Sequence, residues 1–560
     1  MRRSFVLLLL VPMACAPPPA LPPSPPSHAP VLVTIVIDQL AAWLATERWP
    51  ELPTTGGFAR LRREGVWLGA MRYDHAVTDT APGHSSLYTG AFPRVSGIFA
   101  NEVLDADGNL ISILRDPATR LVTSDGPSSL PSSSLGVLRV ETLADRLRAE
   151  HPDALIVGLS LKDRGAMFGA GRSPDAALWF DTQQNRFVTS AALAGGFPRW
   201  AGRAAADVAR AEASTWEPLD PAWIGGHAAS PDAEAGEGDP GGMGTVFPHR
   251  LGVATNPALA FRTSPFADEV LVGLALSALD ASWNRARTTL VALSLSPNDY
   301  IGHTFGPDSW EAWDEMLRLD ALLGRFFAEL DARFGREGYA VMLTGDHGIS
   351  SMPEVGRASR CDSGKADPWD RGCGPGARIL GEDVSASLAA KAREVAGPGR
   401  WVLGVADPYV YLTAAAHALD AAAAARLTGA LVTSLEADPH VARVFVVRDI
   451  PATCPTSSDE SIDALVCRSV ARGAGDLYVV LRHGSFFDGH VVVGKGTNHG
   501  SPYVYDRTVP LLVVAPGVIA PGGVLRGPLP FTTFVRTAAA ILGISPPHDA
   551  GPGPSLTAPR

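Results

Sequence analysis

The sequence predicts an α/β fold: a central, mostly parallel sheet flanked by helices, with a loop-rich insertion and a small α+β subdomain. Three observations carry this. Several β-branched apolar runs end in charged residues, the pattern of buried parallel strands. Helical patterns lie between several of them. The 560 residues, 46% hydrophobic and 19% charged, suffice for a large core.

Each strand can be read in turn. "PVLVTIVIDQL" (30–40) delivers Asp38 at its end. "ALIVGLSLKDRG" (154–165) delivers Lys162, Asp163 and Arg164. "TTLVALSLSPNDYIGH" (288–303) ends at Asp299, and "YAVMLTGDHG" (339–348) at Asp346 and His347. "VPLLVVAPG" (509–517) is a fifth apolar strand. "SWEAWDEMLRLDALLGRFFAELDARFG" (309–335) is the clearest helix between strands. Two regions leave this pattern. Residues from about 195 to 260 are rich in Trp, Gly, Pro and Asp and read as a loop-rich insertion. A second insertion spans about 375 to 490. Within it, residues 377–450 read as helix, strand, helix, strand, with strands at "WVLGVADPYVYLT" and "VARVFVVRDI".

The ends have their own composition. Residues 1–15 read as a signal peptide: Arg2 and Arg3 precede an apolar run too short to span a bilayer. Cys15 follows "PMA" as in a lipoprotein processing site, leaving open membrane attachment through a lipidated Cys15. Residues 16–28 form a Pro-rich linker, and 546–560 a flexible tail. The other four cysteines suggest two disulfides; three pairings are possible, and the local pairs Cys361–Cys373 and Cys454–Cys467 are favoured because each would staple a polar loop. No C-x-x-C spacing supports a zinc site. The net charge of −11 and the lack of a long basic run argue against nucleic acid as a partner. A phosphorylated small molecule needs only a few local cations.

Ligands of parallel sheets bind beyond the carboxyl ends of the strands. Asp38, Asp299, His303, Asp346 and His347 fall there, and His499 lies in the glycine-rich loop "GKGTNHGSPYVYD". Three carboxylates and three imidazoles suit zinc or a similar divalent ion. Six ligands exceed what one catalytic zinc takes from protein, so two metals are expected. Taken singly, each acid is more commonly a helix cap and each histidine a hydrogen-bonded core residue. Their shared sheet edge lifts the set. The stretch "VTDTAPGHSSLYTG" (77–90) then gains a role. A hydroxyl bound to one metal is a nucleophile near neutral pH. Thr80 is well placed for this, at the start of a helix whose N-terminus favours phosphate. By spacing alone Thr78 and Asp79 remain rivals.

The ordered series "VIDQL", "TDTAPGHSSLYTG", "GIFANEVLD", "LSLKDRGAMFGAG", "FPHRL", "NDYIGHTFGP", "LTGDHG" and "HGSPYVYDRTVPLLVVAPG" resembles the alkaline phosphatase superfamily. Within it, the chain is similar to single-chain bacterial alkaline phosphatases of the PafA type, from about residue 31 to 545. The resemblance implies an alkaline phosphatase-like catalytic domain at 29–545. It implies Thr80 as the nucleophile that forms a phosphothreonine. It implies two Zn2+ ions, one on Asp299, His303 and His499, the other on Asp38, Asp346, His347 and the Thr80 oxygen. Asn101, Lys162 and Arg164 would bind the phosphoryl oxygens of a phosphate monoester, and Gly83 and His84 would be structural. The expected protein is an exported monomer, periplasmic or anchored at the outer membrane.

Two other readings are carried. Phosphodiesterases and nucleotide pyrophosphatases of the superfamily share the threonine and the zinc sites but lack the Lys/Arg pair, because a diester carries one charge fewer. A catalytically inactive surface protein binding metal or phosphate would require a lost ligand. A sulfatase is disfavoured, because no C/S-x-P-x-R pattern occurs at the elbow. Two departures from the family pattern stand out. Asn298 precedes Asp299 where a small hydroxyl residue is usual, and the loop 216–245 is long enough to alter substrate preference if it covers the cleft.

Overall fold

The computed structural model describes residues 28–193, 195–355, 369, 371, 376–488 and 492–557. The leader with Cys15, and the expected Cys361–Cys373 pair, lie outside the described residues. The expected Cys454–Cys467 disulfide is formed.

Five parallel strands make the centre of the main sheet. In spatial order they are Ala340–Thr344, Val31–Ile37, Thr289–Leu295, Leu155–Leu159 and Ala176–Asp181. The first four are buried along their whole length, which explains their unbroken apolar runs. Register fixes the level at which the chain leaves the strands. Ile37 pairs with Leu295 and Val36 with Thr344, so the chain leaves these strands at one level. Asp38, the helix Pro297–Phe305 and the Asp346–His347 turn therefore start side by side.

The fifth apolar run, Thr508–Val514, is antiparallel to Ala340–Thr344. The sheet is thus mixed. This reversal matters: the residues that precede an antiparallel strand arrive at the edge where parallel strands end. His499 reaches the site that way.

The region around 195–260 is more regular than expected. It holds helices Ala204–Glu212, Pro221–His227 and Pro257–Arg262, and a two-residue ladder between Thr215–Trp216 and His249–Arg250. Asp220 and Asn256 cap two of these helices by accepting N–H bonds from Trp223 and Leu259. Their Gly- and Pro-rich flanks hide them in the sequence.

The expected α+β subdomain has a four-stranded antiparallel sheet, ordered Val402–Ala406, Tyr409–Leu412, Leu477–Leu481, Val441–Val446. The single strand expected over "WVLGVADPYVYLT" is two, folded back on each other at Asp407-Pro408. Helices Gly381–Ala396 and Ala421–Glu436 bury Leu388, Leu427 and Leu431 in its core. The expected tail packs in part. Arg536 donates to Gly551 O, Thr532 Oγ1 to Pro552 O, and Leu556 N to Thr537 Oγ1. No helix among the described residues is long and apolar enough to cross a membrane.

Candidate active site

Two groups of side chains converge at the sheet edge. Asp299, His303 and His499 form one; Asp38, Asp346 and His347 form the other. Within each, one ligand atom per residue lies within 4.8 Å of the others, and all six residues are buried. Asp299 and His303 share one face of the helix Pro297–Phe305, as their spacing of four requires. Asp38 follows a central strand directly, and Asp346 follows another after Gly345.

The histidines are oriented alike. His303 Nδ1 lies 2.9 Å from Thr497 O, His347 Nδ1 3.0 Å from Gly348 O, and His499 Nδ1 2.8 Å from Thr78 O. An Nδ1–H donating to each carbonyl turns the Nε2 of each ring into the cluster. The Nε2 atoms of His303 and His499 are 3.2 Å apart. Two lone pairs meeting at that distance repel unless a cation or proton lies between them. Asp38 Oδ1 is buried without a hydrogen bond, its ion-pair partner being His347 Nε2 at 3.4 Å. This donor set fits divalent metal ions.

Thr80 opens the helix Thr80–Thr89, with Asp79 at the N-cap position. Its Oγ1 lies 3.5 Å from His347 Nε2. The rival hydroxyl, Thr78, donates to Ser501 O at 2.9 Å instead, and Asp79 Oδ1 lies 3.3 Å from His499 Nδ1. Thr80 is the one of the three that faces both Lys162 and the Asp38 group. Gly83 is required where it stands: a Cβ there would lie 2.4 Å from Asp346 O. His84 Nδ1 is 3.0 Å from both Thr80 O and Asp346 Oδ2, tying the elbow to a candidate metal ligand.

Lys162 bridges everything. Its Nζ is 2.7 Å from Asp38 Oδ2, 2.5 Å from Asp299 Oδ2 and 3.1 Å from Thr80 Oγ1. Asn101 Oδ1 accepts the Ala81 N–H at 2.7 Å, which leaves its amide NH2 as a donor beside Thr80. Arg164 is not drawn into the cluster. Its Nη1 is 3.6 Å from Asp163 Oδ1, and it lines an open cleft next to Lys162.

Electrostatics follow from three buried carboxylates in one place. Burial, then the charge of Asp346, pushes Asp38 up. Burial also opposes ionisation of Asp299, yet His303 and Lys162 hold it well below the usual carboxylate range. Burial disfavours the charged form of His347, but Asp346 and Asp38 outweigh it and lift the ring to about 10. His499 is pushed down to about 4 by burial and the neighbouring His347. The site draws in positive charge, a demand that divalent ions would also meet.

The sequence reading missed Gln39. Its Nε2 donates to Asp299 Oδ1 at 2.8 Å and its backbone N–H to Asp346 Oδ1 at 3.0 Å, with φ at 67°. It ties one metal group to the other. Its position right after the strand-end Asp38 was the available signal. Asn298 donates from Nδ2 to Asp38 O at 2.7 Å, so the departure from the family pattern holds the strand end. The 216–245 loop does not cover the Lys162 cleft. It backs the His303 helix instead, with Gly238 N donating to Thr304 O.

Residues 32–491 match the family described as Type I phosphodiesterase / nucleotide pyrophosphatase. The chain belongs to that family. As a member, it is 28% identical over 531 residues to alkaline phosphatase PafA of Elizabethkingia meningoseptica, covering 93% of this chain and 92% of that protein. It is 29% identical over 503 residues to alkaline phosphatase PhoK of a Sphingomonas species, covering 86% and 83%. The crystal structure of wild-type PafA matches with a TM-score of 0.81 at 26% identity, over 96% of this chain and 99% of that one. This family member therefore has the alkaline phosphatase-like α/β fold that its ordered motifs implied.

Proposed function

We propose that the chain is a two-zinc alkaline phosphatase that hydrolyses phosphate monoesters through a phosphothreonine at Thr80. The observation that carries this reading is Lys162 Nζ, within reach of Thr80 Oγ1 and of a carboxylate from each metal group. A monoester dianion needs one cation more than a diester, and Lys162 is that cation. The similarity to proteins named alkaline phosphatases supports the same reading.

Asp299, His303 and His499 would hold one ion, and Asp38, Asp346 and His347 the other. When bound, the ions supply charge stabilisation at the attacking and leaving oxygens. The protein residues do the rest. Thr80 Oγ1 loses its proton and forms a bond to phosphorus as the ester P–O bond breaks. The leaving alcohol takes up a proton. Water then cleaves the Thr80–phosphorus ester, giving inorganic phosphate and restoring the hydroxyl. Asn101 donates its NH2 to one phosphoryl oxygen, while Lys162 and Arg164 hold the others. Export through the N-terminal leader would place this activity outside the cytoplasm.

The family description favours a second reading, a phosphodiesterase. The deciding experiment expresses residues from His28 onward and compares p-nitrophenyl phosphate with bis-p-nitrophenyl phosphate, with zinc and after chelation. Zinc-dependent monoester cleavage that vanishes in Thr80→Ala supports the phosphatase. Preference for the diester overturns it.

A further inference from the structure

Two cavities flank Asn101 and Lys162, and their linings differ. On the Asn101 side, Asp79, Glu102, Asp407 and Asp488 line a small cavity of about 120 Å³. On the Lys162 side lies a cleft of about 390 Å³ lined by Arg115, Lys162, Arg164 and Arg262. Four cations in one cleft stand out in a chain of net charge −11.

Two of these arginines, Arg115 and Arg262, are not used up by the protein. Among the described residues, neither Arg115 nor Arg262 forms an ion pair. Arg262 Nε is buried without a hydrogen-bond partner. The two carboxylates in the cleft already have partners: Asp163 pairs with Arg164 and accepts from Ser133 Oγ at 2.5 Å, and Asp181 accepts from Gln184 N at 2.7 Å. Tyr300 links cleft to site. Lys162 Nζ lies 5.0 Å from its ring centroid and the Arg262 guanidinium carbon 4.4 Å from it. The two cationic centres are therefore less than about 10 Å apart, and an aromatic face lies beside both.

We propose that this cleft binds a second phosphate carried by the leaving group. The preferred substrates would be monoesters with another phosphate close to the scissile one, its oxygens bound by Arg262 and Arg115 and its carbon frame resting on Tyr300. The assignment rests on the phosphatase reading and deepens it. Arg262 and Arg115 are specificity residues: they touch the far end of the substrate, not the reacting atoms.

The test uses fructose 1,6-bisphosphate, fructose 6-phosphate and p-nitrophenyl phosphate with the wild type, Arg262→Ala, Arg262→Gln and Arg115→Ala. Each arginine variant should lower kcat/KM for the bisphosphate by about tenfold, the scale of one charge-assisted hydrogen bond. The other two substrates should change less than twofold. Calorimetric binding is measured in parallel on Thr80→Ala and Thr80→Ala/Arg262→Ala. The bisphosphate should bind the first about tenfold more tightly than fructose 6-phosphate does, and lose that advantage in the second. Equal losses on all substrates, or no binding preference, overturn the proposal while leaving a working phosphatase in place. Tight binding of the bisphosphate that needs Arg262, in a wild type that hydrolyses no monoester, would sustain the cleft and remove the phosphatase reading.

Discussion

Two buried clusters of acids and histidines lie within this fold, and they are built differently. At the sheet edge, His303, His347 and His499 each fix Nδ1 on a carbonyl and turn Nε2 toward carboxylates and one another. In the 195–260 region, His249 Nδ1 is likewise 3.2 Å from Gly244 O, but its Nε2 meets Glu311 Oε1 at 2.9 Å. That lone pair is consumed within a single pair. Burial holds Glu311 well above its usual range, and burial together with Glu311 lifts Glu237 to about 9. The second cluster keeps protons. The first, entered by Lys162 from another strand, keeps positive charge. Burial and residue type are alike in both. What separates them is whether lone pairs converge and whether a cation reaches them.

The comparison can be broken most sharply at Thr80. Thr80→Ala should reduce hydrolysis at least about a thousandfold with the melting temperature nearly unchanged, as expected for loss of a nucleophile. His249→Ala should do the reverse: a stability loss of about 1–3 kcal/mol from the stranded Glu311, with kcat/KM within a few fold. If His249→Ala abolishes activity in folded protein, the two clusters are not independent.

Lys162→Ala comes next. Monoester kcat/KM should fall about a hundredfold or more, and diester kcat/KM by much less, because the lost cation matters most to a dianion. Chelation should remove activity and lower the melting temperature, since ligands that bind only the folded state stabilise it. That shift should be the same size in wild type and His249→Ala.

The proton-holding cluster makes a pH prediction. Glu237 has a folded pKa of about 9 against 4.5 when free, so folding takes up a proton between those values. Its contribution is full below pH 4.5, declines as pH rises toward 9 and is flat above. Melting curves of Glu237→Gln should therefore gain on the wild type as pH rises from 5 to 9. A constant gap would show that Glu237 is ionised throughout. The smallest effect on activity should come from the disulfide-closed loop. Cys454→Ser/Cys467→Ser opens a loop of sequence separation 13, for a loss of about 3 kcal/mol. Activity per folded molecule should hold.

Much of the candidate site was legible because Asp38, Asp346 and His347 lie just beyond strand ends, Asp299 and His303 lie on the helix that follows one, and His499 sits in a glycine-rich loop. Asp38, Asp299, Asp346 and His347 were readable from apolar runs ending in charge. Gln39 was not, since glutamine after a strand carries no chemical signal until its amide is seen on Asp299. The three short helices within 195–260 were masked by Gly and Pro flanks. The hairpin at Asp407-Pro408 was masked because two adjacent strands of like composition read as one run.

The sequence by itself determined the strands, the order of motifs and the kinds of donor atoms, because these depend on local composition and on spacing along the chain. Only the tertiary structure decided that Thr508–Val514 runs backward and so brings His499 to the edge, that Lys162 rather than Arg164 reaches both carboxylate groups, and that Arg115 and Arg262 meet in one cleft. Those outcomes depend on contacts between residues far apart in sequence, such as the 137 positions between Lys162 and Asp299, where pairing energies and strand direction act and local pattern is silent.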